Sequence, residues 1–450
     1  MQLPASIDEA AQRLRRGELS CGQLVRGFLE RIETLQPRLN AFLTVTAEAA
    51  MGRAGELERE LRAGSDRGPL HGIPIVYKDC LDTAGVRTTI GSRLFAERVP
   101  DGDAEVVRRL AAAGAVMLGK TNMNEFAAGT SGKNAAYGDA RNPWALERSA
   151  GGSSSGTAVA VAAGMALGGL GTDTGGSIRI PAACTGSVGL RPTFGRVPVR
   201  GCFPRSVSLD TVAPLARTVR DCALVFEAMS GDHAGEAAGE VAGTRVGVVR
   251  DLSFRGVDGE VAAALHAALE RLAQIGASVR EITVPALGDD SLSAAFMDIM
   301  LYEFHQVLAE EWRRRAGRAE LFGPVVRANL ERGAKIDEKV YQAALASRES
   351  ATAAMRAVFS RVDVLATPVL ATPAPALDAP PEAFERQRRF MSPFSLAGLP
   401  AISLPCGFGR DGLPIGMQLV ADRLQEKRLL RIARAYESAT AWHKRLPQRP

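Results

Sequence analysis

Two glycine-flanked serine loops lie close together in this chain, Gly151-Gly152-Ser153-Ser154-Ser155-Gly156 and Gly175-Gly176-Ser177. A lysine precedes them at the end of the apolar run Gly72-Ile73-Pro74-Ile75-Val76-Tyr77-Lys78-Asp79. Glycine lets backbone turn tightly or approach a ligand, so a serine behind two glycines can be presented beside free N–H donors. A serine hydroxyl is a poor nucleophile until a base takes its proton, and the usual base is histidine. His233, His266, His305 and His443 fall in helical or linker segments away from the loops, and His71 reads as a packed or capping residue before a strand. Lysine is the remaining candidate base. It serves only when neutral, and at an ordinary pKa near ~10.4 fewer than about one molecule in a thousand is neutral at pH 7. Burial at an apolar strand end is what would bring it within reach, at about 1.4 kcal/mol per pKa unit. The competing reading of Lys78 is an ion pair with Asp79 or Asp82, and taken alone that is the better one.

The second loop, Gly171-Thr172-Asp173-Thr174-Gly175-Gly176-Ser177-Ile178-Arg179, follows an apolar run. Successive N–H groups there could converge on one oxyanion, each well-placed donor contributing roughly 3 to 4 kcal/mol. A phosphate nest and a plain turn are the alternatives. Neither loop completes G-x-x-x-x-G-K-S/T, and the glycines over residues 169–176 do not read G-x-G-x-x-G with an acidic residue after a following strand, which speaks against a nucleotide site.

Several elements must position these loops. Ser6 with Glu9, and Ser20 with Gln23, have the capping-box spacing, so two helices open the chain. The second has Leu24, Val25, Phe28, Leu29, Ile32 and Leu35 on one face and is expected to stop before Pro37. From about residue 68, short apolar runs alternate with small-residue helices, the pattern of a largely parallel sheet covered on both faces. Strands are expected at 73–77, 116–118, 166–170, 245–249, 278–284, 401–404 and 416–420, and helices at 157–164, at 260–275, through 291–360 and from about 425. The stretch 245–284 either opens a second domain or extends the sheet; one sheet is the preferred reading. The fold class expected is α/β, a single large mixed, mostly parallel β-sheet sandwiched by helices.

Composition sets limits rather than a function. A chain of 450 residues leaves the domain count open. With 46% hydrophobic and 23% charged residues it has the make-up of a soluble globular protein. The net charge is +5, and only seven of the 55 basic residues are lysine, so nucleic acid is not an expected partner. The six cysteines are scattered with no C-x-x-C pair, which predicts reduced, mostly buried thiols and no metal. The first residues show neither a basic start nor an apolar core, and no apolar stretch has the length of a span, so a cytoplasmic protein without membrane association is expected.

Taken in order, the motifs resemble the amidase signature family over nearly the whole chain. They are Gly72 to Asp79 as quoted, Gly119-Lys120-Thr121-Asn122-Met123-Asn124-Glu125-Phe126, Arg141-Asn142-Pro143-Trp144, the two serine loops, Gly189-Leu190-Arg191-Pro192-Thr193-Phe194-Gly195 and Ala397-Gly398-Leu399-Pro400-Ala401. The resemblance implies one domain over 1–450, with a helical region to 65, a catalytic core at 66–230, a variable substrate-shaping region at 285–395 and closing strands and helix at 396–450. It also implies Ser177 as nucleophile, Ser153 after a cis peptide from Gly152 as the bridging serine, and Lys78 as base. The N–H groups of Thr174, Gly175, Gly176 and Ser177 would form the oxyanion hole, braced by Asp173 and Arg179. The implied reaction is acyl transfer from a small linear amide, or from a carbamate (urethane), with no cofactor, by a monomer or homodimer.

The chain departs from the family pattern at Ser155, Thr157, Ala182-Ala183-Cys184-Thr185 and Ala213. The nearest rival is the glutamine-hydrolysing A subunit of a tRNA-dependent amidotransferase. It ranks lower because its S-N-L-A-R-Y-D-G run is replaced by Met297-Asp298-Ile299-Met300-Leu301-Tyr302-Glu303-Phe304, which suits an apolar or aromatic substrate if it lines the site. A catalytically silent binding relative is the other rival, opposed by the intact lysine and serines. Specificity is expected to reside in residues 292–327 and 368–394.

Overall fold

The computed structural model describes residues 2–232, 241–287, 290–315 and 318–448. The apolar runs become strands β1 Phe42–Val45, β2 Pro74–Lys78, β3 Val116–Thr121, β4 Gly168–Asp173, β5 Val188–Arg191 and β6 Thr211–Ala216, followed by β7 Arg245–Val248, β8 Ser278–Glu281, β9 Val364–Pro368, β10 Ala401–Phe408 and β11 Pro414–Ala421. They form one sheet in the order β1-β3-β2-β4-β6-β5-β10-β11-β9-β7-β8. The stretch 245–284 therefore extends the sheet at its far edge. Most of the Gly- and Ala-rich segment before it, including His233, lies outside the described residues.

The single mixed sheet agrees with the sequence, but it holds less parallel pairing than the alternating pattern suggested. β2 runs parallel to β3 and β4, and β7 to β8 and β9, while the other six pairings are antiparallel. Parallel neighbours need a crossover, which the helices Glu105–Ala112, Ser155–Ala162 and Gly259–Gln274 supply. Between β5 and β6, and between β10 and β11, the chain has no helix and returns directly, so the sheet's centre is antiparallel. β1, β5, β6 and β9 escaped the sequence reading. Pro214 in β6 and Pro368 in β9 each remove a ladder donor, a mark that argues against a central strand.

The helix Cys21–Leu39 runs through Pro37 instead of ending before it, and closes on Asn40 with φ +46°. Leu39 is fully buried, and Gln36 exchanges two hydrogen bonds with the Phe42 backbone at 2.8 and 2.9 Å, so packing holds a last turn that local preference disfavours. The box at Ser20 and Gln23 is complete, whereas Glu9 takes the N–H of Ala5 rather than that of Ser6.

Every residue of β2, of β4 and of the helix Ser155–Ala162 is buried. The helix rests directly on β4, and glycines make that approach: a Cβ at Gly169 would lie 2.6 Å from Thr157 Cγ2, and one at Gly171 2.5 Å from Ser154 Oγ. The apolar core falls into three clusters. One contains Ile75, Val76, Tyr77 and Leu170 around β2 and β4; a second contains Phe296, Met300, Phe390, Met391 and Phe394, from the helix Ser291–Arg314 and the segment before β10; a small third one joins Ala158, Ile178, Ala182, Ala213 and Leu215. Residues 291–360 are helical as expected, in Ser291–Arg314, Pro324–Gly333 and Glu338–Phe359. Among the described residues no helix is long and apolar enough to cross a membrane.

Candidate active site

Lys78 ends β2 with its side chain wholly buried. Its Nζ lies 2.7 Å from Ser153 Oγ and 2.7 Å from Thr172 Oγ1, donating to each. Neither expected ion pair forms. Asp79 takes the backbone N–H and hydroxyl of Thr89, and Asp82 takes the fork of Arg98 at 2.8 and 2.9 Å. Burial pulls the Lys78 pKa below the ordinary lysine value against the weaker pull of Cys80, Cys202, Asp210 and Asp173. That shift is in the direction a general base held against a serine hydroxyl requires.

The peptide between Gly152 and Ser153 is cis. Asn124, on the turn after β3, holds this loop: its N–H donates to the Ser153 carbonyl at 3.3 Å and its Oδ1 accepts from Gly132 at 3.1 Å. Glycine is required at 152, where a Cβ would sit 2.1 Å from Asn124 Oδ1. Ser154 joins the two loops. Its N–H donates to the Ser177 carbonyl at 3.2 Å, and its hydroxyl both donates to Thr172 O and accepts from Thr172 N–H, each at 3.2 Å.

Asp173 is buried between two arginines, Arg179 Nε and Nη2 at 3.0 and 2.9 Å and Arg191 Nη1 at 3.1 Å. These charges outweigh its desolvation and hold its carboxyl far below the usual range. Arg179 continues to Gln418 Oε1 on β11 and to Ser395 Oγ, both at 2.7 Å, tying the loop to the sheet. Asp173 also accepts the N–H of Gly176 at 2.8 Å, so that donor is already engaged and is unlike the other three expected in an oxyanion hole. Among the described residues, no acceptor takes the N–H of Gly175 or Ser177.

Ser177 is 6% exposed and faces a hollow lined by Gly129, Thr130, Phe296, Met300, Arg205 and Arg388. Phe296 closes so near that a Cβ on Gly175 would stand 2.3 Å from its Cζ. About 10 Å³ of free space remains, room for a single water, so a larger ligand requires some of these lining side chains to move. The helix carrying Met297 to Phe304 thus faces Ser177.

The described histidines line no part of the hollow. His71 is fixed by Arg67 N–H and Leu57 O, and His266 stacks on Phe254. Nor does any departure from the family pattern line it. Thr157 bonds Thr121 and Leu170, Ala213 pairs with Gly171 in the sheet, and Cys184 packs behind Gly151. All six cysteines are free, five of them buried. Among the described residues no three His, Cys, Asp or Glu side chains gather as a metal site would need. The sequence offered no role for Ser154, Thr172 or Asn124. The only signal was membership of the quoted runs, Ser154 and Thr172 in the two serine loops and Asn124 in Gly119 to Phe126.

The site thus joins a serine loop to a second serine loop beside a buried lysine on a mixed sheet, with no described histidine lining it. The chain belongs to the amidase family, whose model, described as Amidase, matches residues 23–430. It is 40% identical over 99% of its length to the A subunit of the glutamyl-tRNA(Gln) amidotransferase of a Roseiflexus species, covering 98% of that protein. Among solved structures it is similar to an amidase (36% identity, TM-score 0.89, 96% of this chain and 99% of that one). It is also similar to the native peptide amidase of Stenotrophomonas maltophilia (32% identity, TM-score 0.86, 99% and 98%). The ranking expected from the sequence, a free-standing amidase ahead of the amidotransferase component, is not the one the curated relatives favour.

Proposed function

We propose that the chain hydrolyses carboxamide C–N bonds through an acyl-enzyme on Ser177. Ser177 Oγ attacks the carbonyl carbon while its proton passes to Ser153 Oγ and the Ser153 proton to neutral Lys78. The N–H groups of Gly175 and Ser177 receive the oxyanion, with Thr174 beside them. Collapse of the intermediate expels the amine, which takes the proton back from Lys78 by way of Ser153. Water then repeats the sequence to release the acid. Asp173, Arg179 and Gly152 hold the loops and take no part in proton transfer. A carbamate, whose carbonyl is attacked in the same way, fits the same steps.

The observation that supports this most is the Lys78 Nζ, buried, bonded to Ser153 Oγ and without a carboxylate partner among the described residues. Two substrate readings follow. Glutamine hydrolysis, as one component of an amidotransferase, draws on the 40% identity to the Roseiflexus protein, and it would need a partner to receive ammonia. A free-standing amidase draws on Phe296 and Met300 against the nucleophile.

Steady-state assays on 4-nitroanilides, an aryl carbamate, simple carboxamides and glutamine separate the two. Turnover of glutamine alone supports the amidotransferase component; turnover of anilide or carbamate supports the free amidase. Activity surviving in Ser177→Ala would remove the mechanism altogether.

A further inference from the structure

Arg205 lies in the loop before β6, 3% exposed, and lines the hollow in front of Ser177. The nearby carboxylate of Asp210 is occupied by other groups: Oδ2 accepts the backbone N–H of Arg205 and of Ser206 at 2.7 and 3.0 Å, and Oδ1 accepts the Thr174 hydroxyl at 2.6 Å. The Arg205 guanidinium instead sits over the Phe304 ring, Cζ 3.5 Å from its centroid. Its Nη1 is buried, and among the described residues it has no hydrogen-bond partner.

A buried cation with an unmatched donor is costly to the fold, and arginine cannot escape by losing its proton near neutral pH. Burial and the positive charge of Arg388 depress its pKa to about 9, still protonated at neutrality. Arg388 lines the same hollow. It also lines a second cleft of about 510 Å³, where Arg255, Arg332, Arg386 and Arg389 join it and Asp290 is the one acid among the described lining residues. Such a concentration of arginines beside the hollow attracts anions towards it. No acid is among the described residues lining the inner hollow, so an ammonium group would meet no carboxylate there.

We propose that the substrate is a monoanionic amide, its carboxylate seated on Arg205 Nη1, its short apolar stem against Phe296 and Met300, and its carbonyl at Ser177. This rests on the hydrolase reading above and narrows it to amides of the dicarboxylic-monoamide kind, in preference to neutral amides or the zwitterion glutamine. The carboxylate is a spectator: water adds, the C–N bond breaks, and a dicarboxylate and an amine leave.

The test compares succinic acid mono-4-nitroanilide with butyric acid 4-nitroanilide, in the full chain and in Arg205→Met. The expected wild-type kcat/KM favours the succinyl compound at least tenfold over both the butyryl anilide and glutamine. In Arg205→Met the ratio of the two anilides collapses by at least tenfold, mainly through KM. A wild type that turns over the butyryl compound or glutamine as well as the succinyl one overturns the proposal, as does an equal loss on both anilides in the variant. The rate at which a neutral phosphonofluoridate labels Ser177 shows that the variant site is assembled. Succinate slows this labelling in wild type and not in Arg205→Met if the proposal holds. Labelling that succinate never slows sinks the anion site alone, whereas no labelling of Ser177 and no turnover sinks the hydrolase reading itself.

Discussion

The two sides of the hollow are built on opposite principles. On the base side, Lys78, Ser153, Ser154, Thr172 and Asp173 form a buried polar network in which each member has a partner within 3.2 Å. On the facing side, Phe296 and Met300 belong to a separate apolar cluster, and Arg205 keeps an unmatched Nη1. Fully satisfied buried networks are rigid and intolerant of change, because removing one partner leaves another desolvated and unpaired. An apolar wall can change shape without orphaning anything. Under the proposed mechanism, chemistry is fixed on one side, while selectivity can vary on the other.

The largest effect that would break this comparison is expected at the nucleophile. Ser177→Ala should lower kcat by about 10⁴-fold or more, read as loss of anilide or amide turnover. Lys78→Met should lower kcat by about 10² to 10⁴-fold and erase the acid limb of the pH–rate profile, because activity rises with pH as Lys78 gives up its proton. A Lys78→Met enzyme that kept that limb would place the base elsewhere.

Ser154→Ala should cost about 1 to 3 kcal/mol in denaturant unfolding, since Thr172 N–H loses its acceptor in the interior. It should also lower kcat by misplacing Ser177, with little change in KM. Phe296→Ala should act in the opposite sense. Its effect on the preference between small and bulky acyl groups should stay within about 10 to 200-fold, read as relative kcat/KM, with the Lys78 pH limb intact.

The smallest effects concern pH and stability. Lys78 has a lowered pKa, so between that value and the ordinary ~10.4 the unfolded chain holds a proton the fold has shed, and stability rises with pH over that window. Asp221, far from the site, has the reverse sign. It is buried, with Oδ1 on the Ile7 N–H and Oδ2 unmatched among the described residues, and desolvation raises it to about 7. The fold keeps a proton the unfolded chain releases near ~3.9, so stability falls as pH climbs from about 4 to 7. Asp221→Asn should flatten the acid-side slope of unfolding free energy against pH and leave activity alone; Lys78→Met should flatten only the alkaline side.

Much of this was legible in the chain. Lys78, Ser153 and Ser177 were marked by glycine context and by an apolar run, both local signals. The small-residue helix after the first serine loop was legible for the same reason, its Ala, Val and Gly content announcing close packing on β4. The fate of Lys78 was not. Its own neighbours, Asp79 and Asp82, argued for an ion pair, and what removed them was Thr89 and Arg98, residues that reach those carboxylates only through the fold. The helix end at Pro37 was misjudged because the burial of Leu39 lies outside any local rule.

By itself, then, the sequence determined which reactive groups are present: two glycine-flanked serines, a lysine on an apolar strand, and no histidine beside them. Those depend on residue type and on backbone freedom over a few positions. Only the tertiary structure decided that Lys78 meets Ser153 rather than an acid, and that Phe296 and Arg205 face Ser177 from other elements of the fold. The physical reason is that burial and partner choice are properties of the packed sheet, where a desolvated charge takes whichever group the fold brings into hydrogen-bond reach, not the one nearest in sequence.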